Sequence, residues 1–481
     1  YIIAYDQYGV INKVIKKGVC IMFNMKKWLA FGFMFVLVLI VSACSGDKAE
    51  DSTTTEDTTE TTDTSNDEAA TSGEKVQTEF WHAMSGANQQ AIDKIVADYN
   101  ASQDQYEVQA LFQGSYEESL TKLRSVGGTS DAPAIMQVFE VGTKYMIDSG
   151  YIEPMQTFID KDNYDIGQLE ENILNYYTVD DQLYSMPFNS STPVMLYNKD
   201  AFKAAGLDPE SPPQTFEEVV AAAQKLTNGD MKGFAILLYG WFFEEMLATQ
   251  GGLYVDNENG RSDQATKALF NGEEGLRVFE FLKEMNDAGT LGNFGSVWDD
   301  LRSAFVAGQV AMYLDSSAGI ADIAKNAPFE VGAAYIPYSE EAERNGVIIG
   351  GASLWMMKGI SEEEQVGAWD FMKYLQTPEV QADWHVSTGY FAINPAAYEQ
   401  SIVQDRWKEF PQLQVTVNQL QDTIPSVATQ GALISVFTES REHVVTAIEE
   451  LYQGGNPQAV LDKAAESTNR AIDIANKTSG N

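Results

Sequence analysis

Cysteine, histidine and positive charge are scarce in this chain, and each shortage removes a class of function. Only two cysteines occur in 481 residues, Cys20 and Cys44, both near the start, so the body of the chain carries no disulfide framework and no cysteine-built metal site. The three histidines, His82, His385 and His443, stand far apart, none in a His-Glu-x-x-His spacing. No Gly-x-Ser-x-Gly elbow and no Walker-type phosphate loop is present. A general base, an activated nucleophile and a metal centre are all poorly provided for, so no enzyme activity, cofactor or metal is expected. Thirty-one basic residues face seventy acidic ones, and a formal charge of -39 repels nucleic-acid phosphates.

What is present suits a large protein outside the cytoplasm. A composition 44% hydrophobic and 11% aromatic over this length fills more than one core, so two lobes are expected. Residues 1–24 precede a complete address signal and read as an extension from a start site placed too early. Within 25–43, Met25-Lys26-Lys27 is a basic start and Leu29 to Val41 an apolar run of thirteen, the pattern of a signal peptide rather than a membrane span. Val41-Ser42-Ala43-Cys44 resembles a bacterial lipobox, which implies that Cys44 becomes an acylated N-terminus tethered to the outer face of the cytoplasmic membrane. The alternative is an ordinary signal peptide with a chance cysteine. Residues 44–75 read as a stalk. From Asp47 to Lys75 ten acidic and two basic residues stand among Thr and Ser with no apolar periodicity, so burial cannot offset the entropy of ordering them.

From Val76 the pattern alternates. Strands are expected at 76–81, 106–112 and 134–139, and helices at 86–99, 116–126 and 142–149. This is a βαβαβ lobe, whose strand ends at Trp81-His82, Gly114-Ser115-Tyr116 and Glu140-Val141-Gly142 should face one crevice. At 187–207, polar Asn189 to Pro193 precede an apolar strand, Val194 to Tyr197, and a helix capped by Asn198 or Asp200 and ended by Gly206. This stretch is the expected crossing into a second lobe. There, a helix starts near Thr215 and strands are expected at 233–238 and 310–314, the latter preceded by a helix at 301–308 and followed by Ser316-Ser317-Ala318-Gly319. Val347 to Trp355 reads as a crossing back, with Gly350 and Gly351 permitting close backbone approach to a ligand. After helix 362–375, Thr377-Pro378 reads as a third crossing. Lobe 1 is thus 76–186 with 350–376, and lobe 2 is 187–349 with 377–481.

Several blocks within this frame carry a family likeness: Phe80-Trp81-His82-Ala83-Met84, Ala132 to Gly142, residues 187–207, Ile348 to Trp355 and Ser387-Thr388-Gly389-Tyr390. From about residue 76 to about 470 the chain resembles the sn-glycerol-3-phosphate-binding proteins of ABC importers. The resemblance implies an α/β two-lobed periplasmic-binding-protein fold of the Venus flytrap type with three hinge crossings, a monomer that closes over one small molecule and delivers it to a membrane permease. It also implies a ligand set of Tyr116, Glu140, Ser191, Ser316, Gly351, Tyr390 and Arg441. Arg441 would offer a phosphate a bidentate fork. The serines, the Gly351 amide and the tyrosines would be neutral donors, and Glu140 would accept from glycerol hydroxyls. For Glu140 the competing reading is a carboxylate paired at the hinge.

One position departs from the family. Trp241 is kept, but Leu238 stands where some relatives have a second tryptophan, which would open room for a diester such as glycerophosphocholine, with Trp241, Trp81 or Phe188 stacking on its quaternary ammonium. Four or five charge-assisted hydrogen bonds at roughly 1.5–3 kcal/mol each suffice for the roughly 8 kcal/mol of micromolar binding after desolvation. An oligosaccharide is the competing ligand, and a sensor lipoprotein the competing role.

Overall fold

The computed structural model describes residues 75–479; the upstream extension, the signal, Cys44 and all but the end of the stalk lie outside the described residues. Thirteen strands are formed there: β1 (Val76–His82), β2 (Tyr106–Phe112), β3 (Ile135–Phe139), β4 (Ile152–Glu153), β5 (Thr178–Val179), β6 (Gln182–Leu183), β7 (Met186–Ser191), β8 (Pro193–Asn198), β9 (Lys232–Ala235), β10 (Leu291–Gly292), β11 (Val310–Ser316), β12 (Val331–Ala334) and β13 (Gly350–Met357). Two sheets hold eleven of them, and β5 and β6 form a separate antiparallel pair. The first runs β2-β1-β3-β13, with β7 and β4 along the far edge of β13; β1 is parallel to β2 and β3, whereas β13 is antiparallel to β3. The second runs β10-β9-β11-β8-β12, parallel from β10 to β11 and antiparallel at β8 and β12.

Local chemistry accounts for the element starts. Ser115, Thr215 and Ser361 each close a capping box, accepting from the backbone N–H of Glu118, Glu218 and Glu364 while those carboxylates accept from the cap N–H. Asn198 caps Lys199–Ala204 through Ala201 N, and Gly206, at φ +73, follows its end. In β1 the period of two sends Phe80 and His82 into the core. β3, Ile-Met-Gln-Val-Phe, is buried at every position, as a central strand covered on both faces must be.

Three expectations change at the lobe junctions. Asn189 to Ser191 are not a crossing loop: they continue β7 and pair with Ala352, Gly351 and Gly350 of β13, leaving Thr192 alone between β7 and β8. All six β7 residues are buried, and ladder pairing satisfies backbone groups that a buried loop would strand. The strand expected at 233–238 ends at Ala235. The third crossing is not at Thr377-Pro378. Pro378 opens the helix Pro378–Thr388, whose Ala382 and Trp384 share a core with Phe80 and Phe188 of the first lobe. Packing passes to the second lobe at Phe410 and through the helix Gln412–Gln421, which buries Leu413 in one core and Val417 and Leu420 in the other. Residues 378–403 therefore belong with lobe 1 rather than lobe 2.

Candidate functional site

The crevice between the sheets is built from strand ends. Tyr116 opens the helix capped by Ser115, its ring stacked on Phe139 at 5.3 Å and 3°. A polar relay fixes it: Ala83 N donates to Gln137 Oε1 (2.8 Å), Gln137 Nε2 to Asn189 Oδ1 (2.7 Å), and Asn189 Nδ2 to the Tyr116 hydroxyl (2.9 Å). Three chain segments are thereby held in one geometry. Glu140 begins the turn after β3, and Ser191 and Ser316 end β7 and β11. Gly351 sits at φ +95, and a Cβ there would lie 1.9 Å from the Asn189 carbonyl oxygen, so only glycine allows this approach. Tyr390 follows Gly389, which ends its helix at φ +76, and stacks on Trp384 at 5.8 Å and 8°. Its carbonyl accepts from His385 Nδ1 at 2.7 Å.

Six expected residues, Tyr116, Glu140, Ser191, Ser316, Gly351 and Tyr390, line one cavity of about 520 Å³ together with Trp241. The buried indole N–H of Trp241 has no hydrogen-bond partner among the described residues. Burial pushes the Tyr116 and Tyr390 phenols up, so both stay neutral O–H donors at any ordinary pH.

Arg441 is placed differently. It is buried beside the cavity rather than lining it, and every guanidinium nitrogen is taken: Nε and Nη2 by Glu244 Oε2 and Nη1 by Glu140 Oε1 at 2.8 Å. Glu140 is thus ion-paired from the first lobe to the Phe437–Tyr452 helix of the second, the competing reading of that residue. Burial pushes the Glu244 carboxyl up, and the adjacent Arg441 charge opposes this. Glu245 beside it rises further, through burial and the Glu244 charge. Leu238 is buried in the second lobe's core and Phe188 stacks on Trp384 at 4.7 Å; neither lines the cavity. Trp81 takes the face of β1 opposite Phe80 and His82 and donates to Glu79 Oε2 at 3.3 Å, also outside the lining. His82 is fully buried and burial holds its pKa down, so it is a neutral core residue.

Sequence reasoning missed part of the wall. Tyr239, Trp298 and Arg302 line the cavity with Ser85, Asn88 and Glu117. Tyr239 packs edge-on to Trp298 at 5.7 Å, and the Arg302 guanidinium lies over the Trp298 ring at 5.1 Å. The Trp298/Arg302 spacing of four on a helix was the available signal. Among the described residues no group of three or more His, Cys, Asp and Glu side chains could hold a metal ion.

Residues 94–414 match the family model described as bacterial extracellular solute-binding protein. The chain is 36% identical over 402 residues to the sn-glycerol-3-phosphate-binding periplasmic protein UgpB of Salmonella paratyphi A, covering 82% of this chain and 92% of that one. To the Yersinia pseudotuberculosis protein of the same name it is 36% identical over 410 residues, covering 83% and 93%. Among solved structures, UgpB from Mycobacterium tuberculosis in complex with glycerophosphocholine superposes with a TM-score of 0.72 at 19% identity, covering 83% of this chain and 99% of that one. The cyclic alpha-maltosyl-1,6-maltose binding protein from Arthrobacter globiformis superposes with a TM-score of 0.70 at 24% identity, covering 83% and 99%. These two share the fold of this chain.

Proposed function

Because the chain belongs to the bacterial extracellular solute-binding proteins, we propose that it captures a glycerol phosphate ester between its lobes and hands it to the membrane permease of an ABC importer. The ester is sn-glycerol 3-phosphate or a glycerophosphodiester such as glycerophosphocholine. One observation carries this reading: six residues expected from the glycerol-phosphate binders, drawn from both lobes and spread over 275 positions (from 116 to 390, both counted), converge on a single cavity. Their chemistry is suited to capture without reaction. The unpartnered Trp241 N–H, with the Ser191 and Ser316 side chains in the same wall, points to a ligand rich in acceptor oxygens. Glu140 supplies an acceptor for hydroxyl groups, and the tyrosines and tryptophans exclude water, which strengthens each polar contact. Cys44 would hold the protein at the outer membrane face by its acyl chains.

The aromatic wall of Tyr239, Trp241 and Trp298 favours a second reading, an oligosaccharide stacked on those rings. Calorimetric titration of the purified protein with sn-glycerol 3-phosphate, glycerophosphocholine and maltose separates the two. Micromolar binding of either phosphate ester is expected; maltose binding without ester binding would refute the proposal. Unchanged glycerophosphocholine after long incubation is the expected mark of a binder.

A further inference from the structure

An anionic ligand in this cavity needs a cation in the cavity wall, and the expected one, Arg441, is not among the lining residues. Arg441 spends every guanidinium nitrogen on Glu140 and Glu244. Among the residues lining the cavity, Arg302 is the one cation. Its guanidinium is half engaged. Nε contacts both Asp315 oxygens at 3.3 and 3.0 Å and Nη2 contacts Oδ1 at 2.8 Å, while Nη1 has no protein partner among the described residues. Asp315 is fully buried and also accepts from the Tyr313 hydroxyl and Ser316 N, both at 2.7 Å, so the carboxylate is a fixed anchor. The Trp298 ring lies beneath the guanidinium, its centroid 5.1 Å away. Gly319 completes the seat: a Cβ there would lie 2.6 Å from Nη2, so any other residue would displace the group. A planar donor anchored by one edge, supported on one face and given room on another is pre-organised for recognition by its remaining edge.

Its place in the crevice adds meaning. Arg302 also lines an adjoining cavity of about 320 Å³, shared with Ser85, Asn88 and Ser387 from the first lobe and with Asp299, Asp322 and Arg406. The guanidinium therefore stands at the junction of an aromatic chamber and a polar one.

We propose that Arg302 is a specificity-determining residue that contacts the ligand's phosphate through its free Nη1 edge, with the second alcohol of a diester entering the adjoining polar chamber. This rests on the glycerol-phosphate reading and deepens it. The Arg302–Asp315 pair stays intact on binding, so the phosphate adds to a satisfied pair and need not break one.

The test is titration of wild type, Arg302→Gln and Arg302→Lys with sn-glycerol 3-phosphate and glycerophosphocholine at two salt concentrations, with ligand-free unfolding temperatures alongside. Removing one charge-assisted hydrogen bond corresponds to roughly a ten- to hundred-fold loss of affinity for both esters in Arg302→Gln. The salt dependence of Kd should flatten in that variant, a change that a purely structural role does not produce. Arg302→Lys keeps the charge beside Asp315 but not the second edge, so it should fold like wild type and still bind more weakly, which covers the case in which Arg302→Gln is unstable. Affinities within two-fold of wild type in a folded variant would overturn the inference while leaving the phosphate-ester reading in place. Wild type that binds neither ester would instead remove the reading itself, and the inference with it.

Discussion

His385 offers a sharp test of the packing beneath the site. Its ring is 1% exposed, Nδ1 meets the Tyr390 carbonyl at 2.7 Å and Nε2 accepts from the Trp407 indole N–H at 3.0 Å. Tyr398 and Trp407 flank it edge-on. Both nitrogens are satisfied only by the neutral Nδ1–H form, because a second proton on Nε2 would face a donor. Burial lowers its pKa from 6.5 to about 4; the Tyr390 carbonyl pulls the other way and the Arg406 charge lowers it further. For a histidine with a depressed folded pKa, the unfolded chain takes up the proton first as pH falls. The contribution to stability is therefore complete above pH 6.5 and is lost as pH falls toward about 4. Between pH 7.5 and pH 5 this linkage amounts to about 2 kcal/mol. The assay is urea unfolding of wild type and His385→Gln at both pH values. Glu244 and Glu245 have raised folded pKa values, so their contribution is present below the unfolded pKa of 4.5 and lost as pH rises. They titrate alike in both proteins and cancel in the difference. Wild type should lose about 2 kcal/mol more than the variant on acidification. Equal losses would mean that His385 titrates normally and that its buried, doubly bonded placement is not the solution state. Because His385 fixes the Tyr390 carbonyl, ester affinity should also fall in the variant at neutral pH.

Arg441→Met strands Glu140 and Glu244 in the interior and should cost about 3–5 kcal/mol in chemical denaturation, so any loss of ligand in that variant is to be read beside its unfolding curve. Gly351→Ala meets both a positive φ and the Asn189 carbonyl and should lower stability by at least 1–3 kcal/mol and weaken ester binding; wild-type behaviour would show that the backbone there is free to move. Leu238→Trp should destabilise through overpacking of the second lobe's core rather than by narrowing the cavity, seen as a lower unfolding temperature with little change in the preference between mono- and diester. Stopped-flow association of the anionic ester should quicken modestly with added salt, because screening relieves repulsion by a chain of charge -39; slowing would mean that local positive potential at the crevice prevails.

Much of this was legible in the residues. Tyr106–Phe112, Tyr116–Val126 and Glu362–Leu375 fall where periodicity and caps place them, because those signals are local: a capping serine or a period of two acts within a few residues. Family blocks located Tyr116, Glu140, Ser191, Ser316, Gly351 and Tyr390, which share one cavity. Long-range partners were not legible. Asn189 looks like loop until Ala352 is brought beside it, Pro378 looks like a domain boundary until Trp384 is seen against Phe188, and Arg441 looks like a phosphate fork until two carboxylates are found holding it.

Composition and local pattern by themselves determined the class of the protein: an acidic, nearly cysteine-free, two-lobed α/β chain. The tertiary structure alone decided which charges are free to meet a ligand. A side chain's availability depends on what lies across the crevice, often hundreds of residues away in sequence, and burial makes every such pairing exclusive. The same arithmetic that occupies Arg441 with Glu140 and Glu244 leaves Arg302, anchored by Asp315 along one edge, as the cation in the cavity wall.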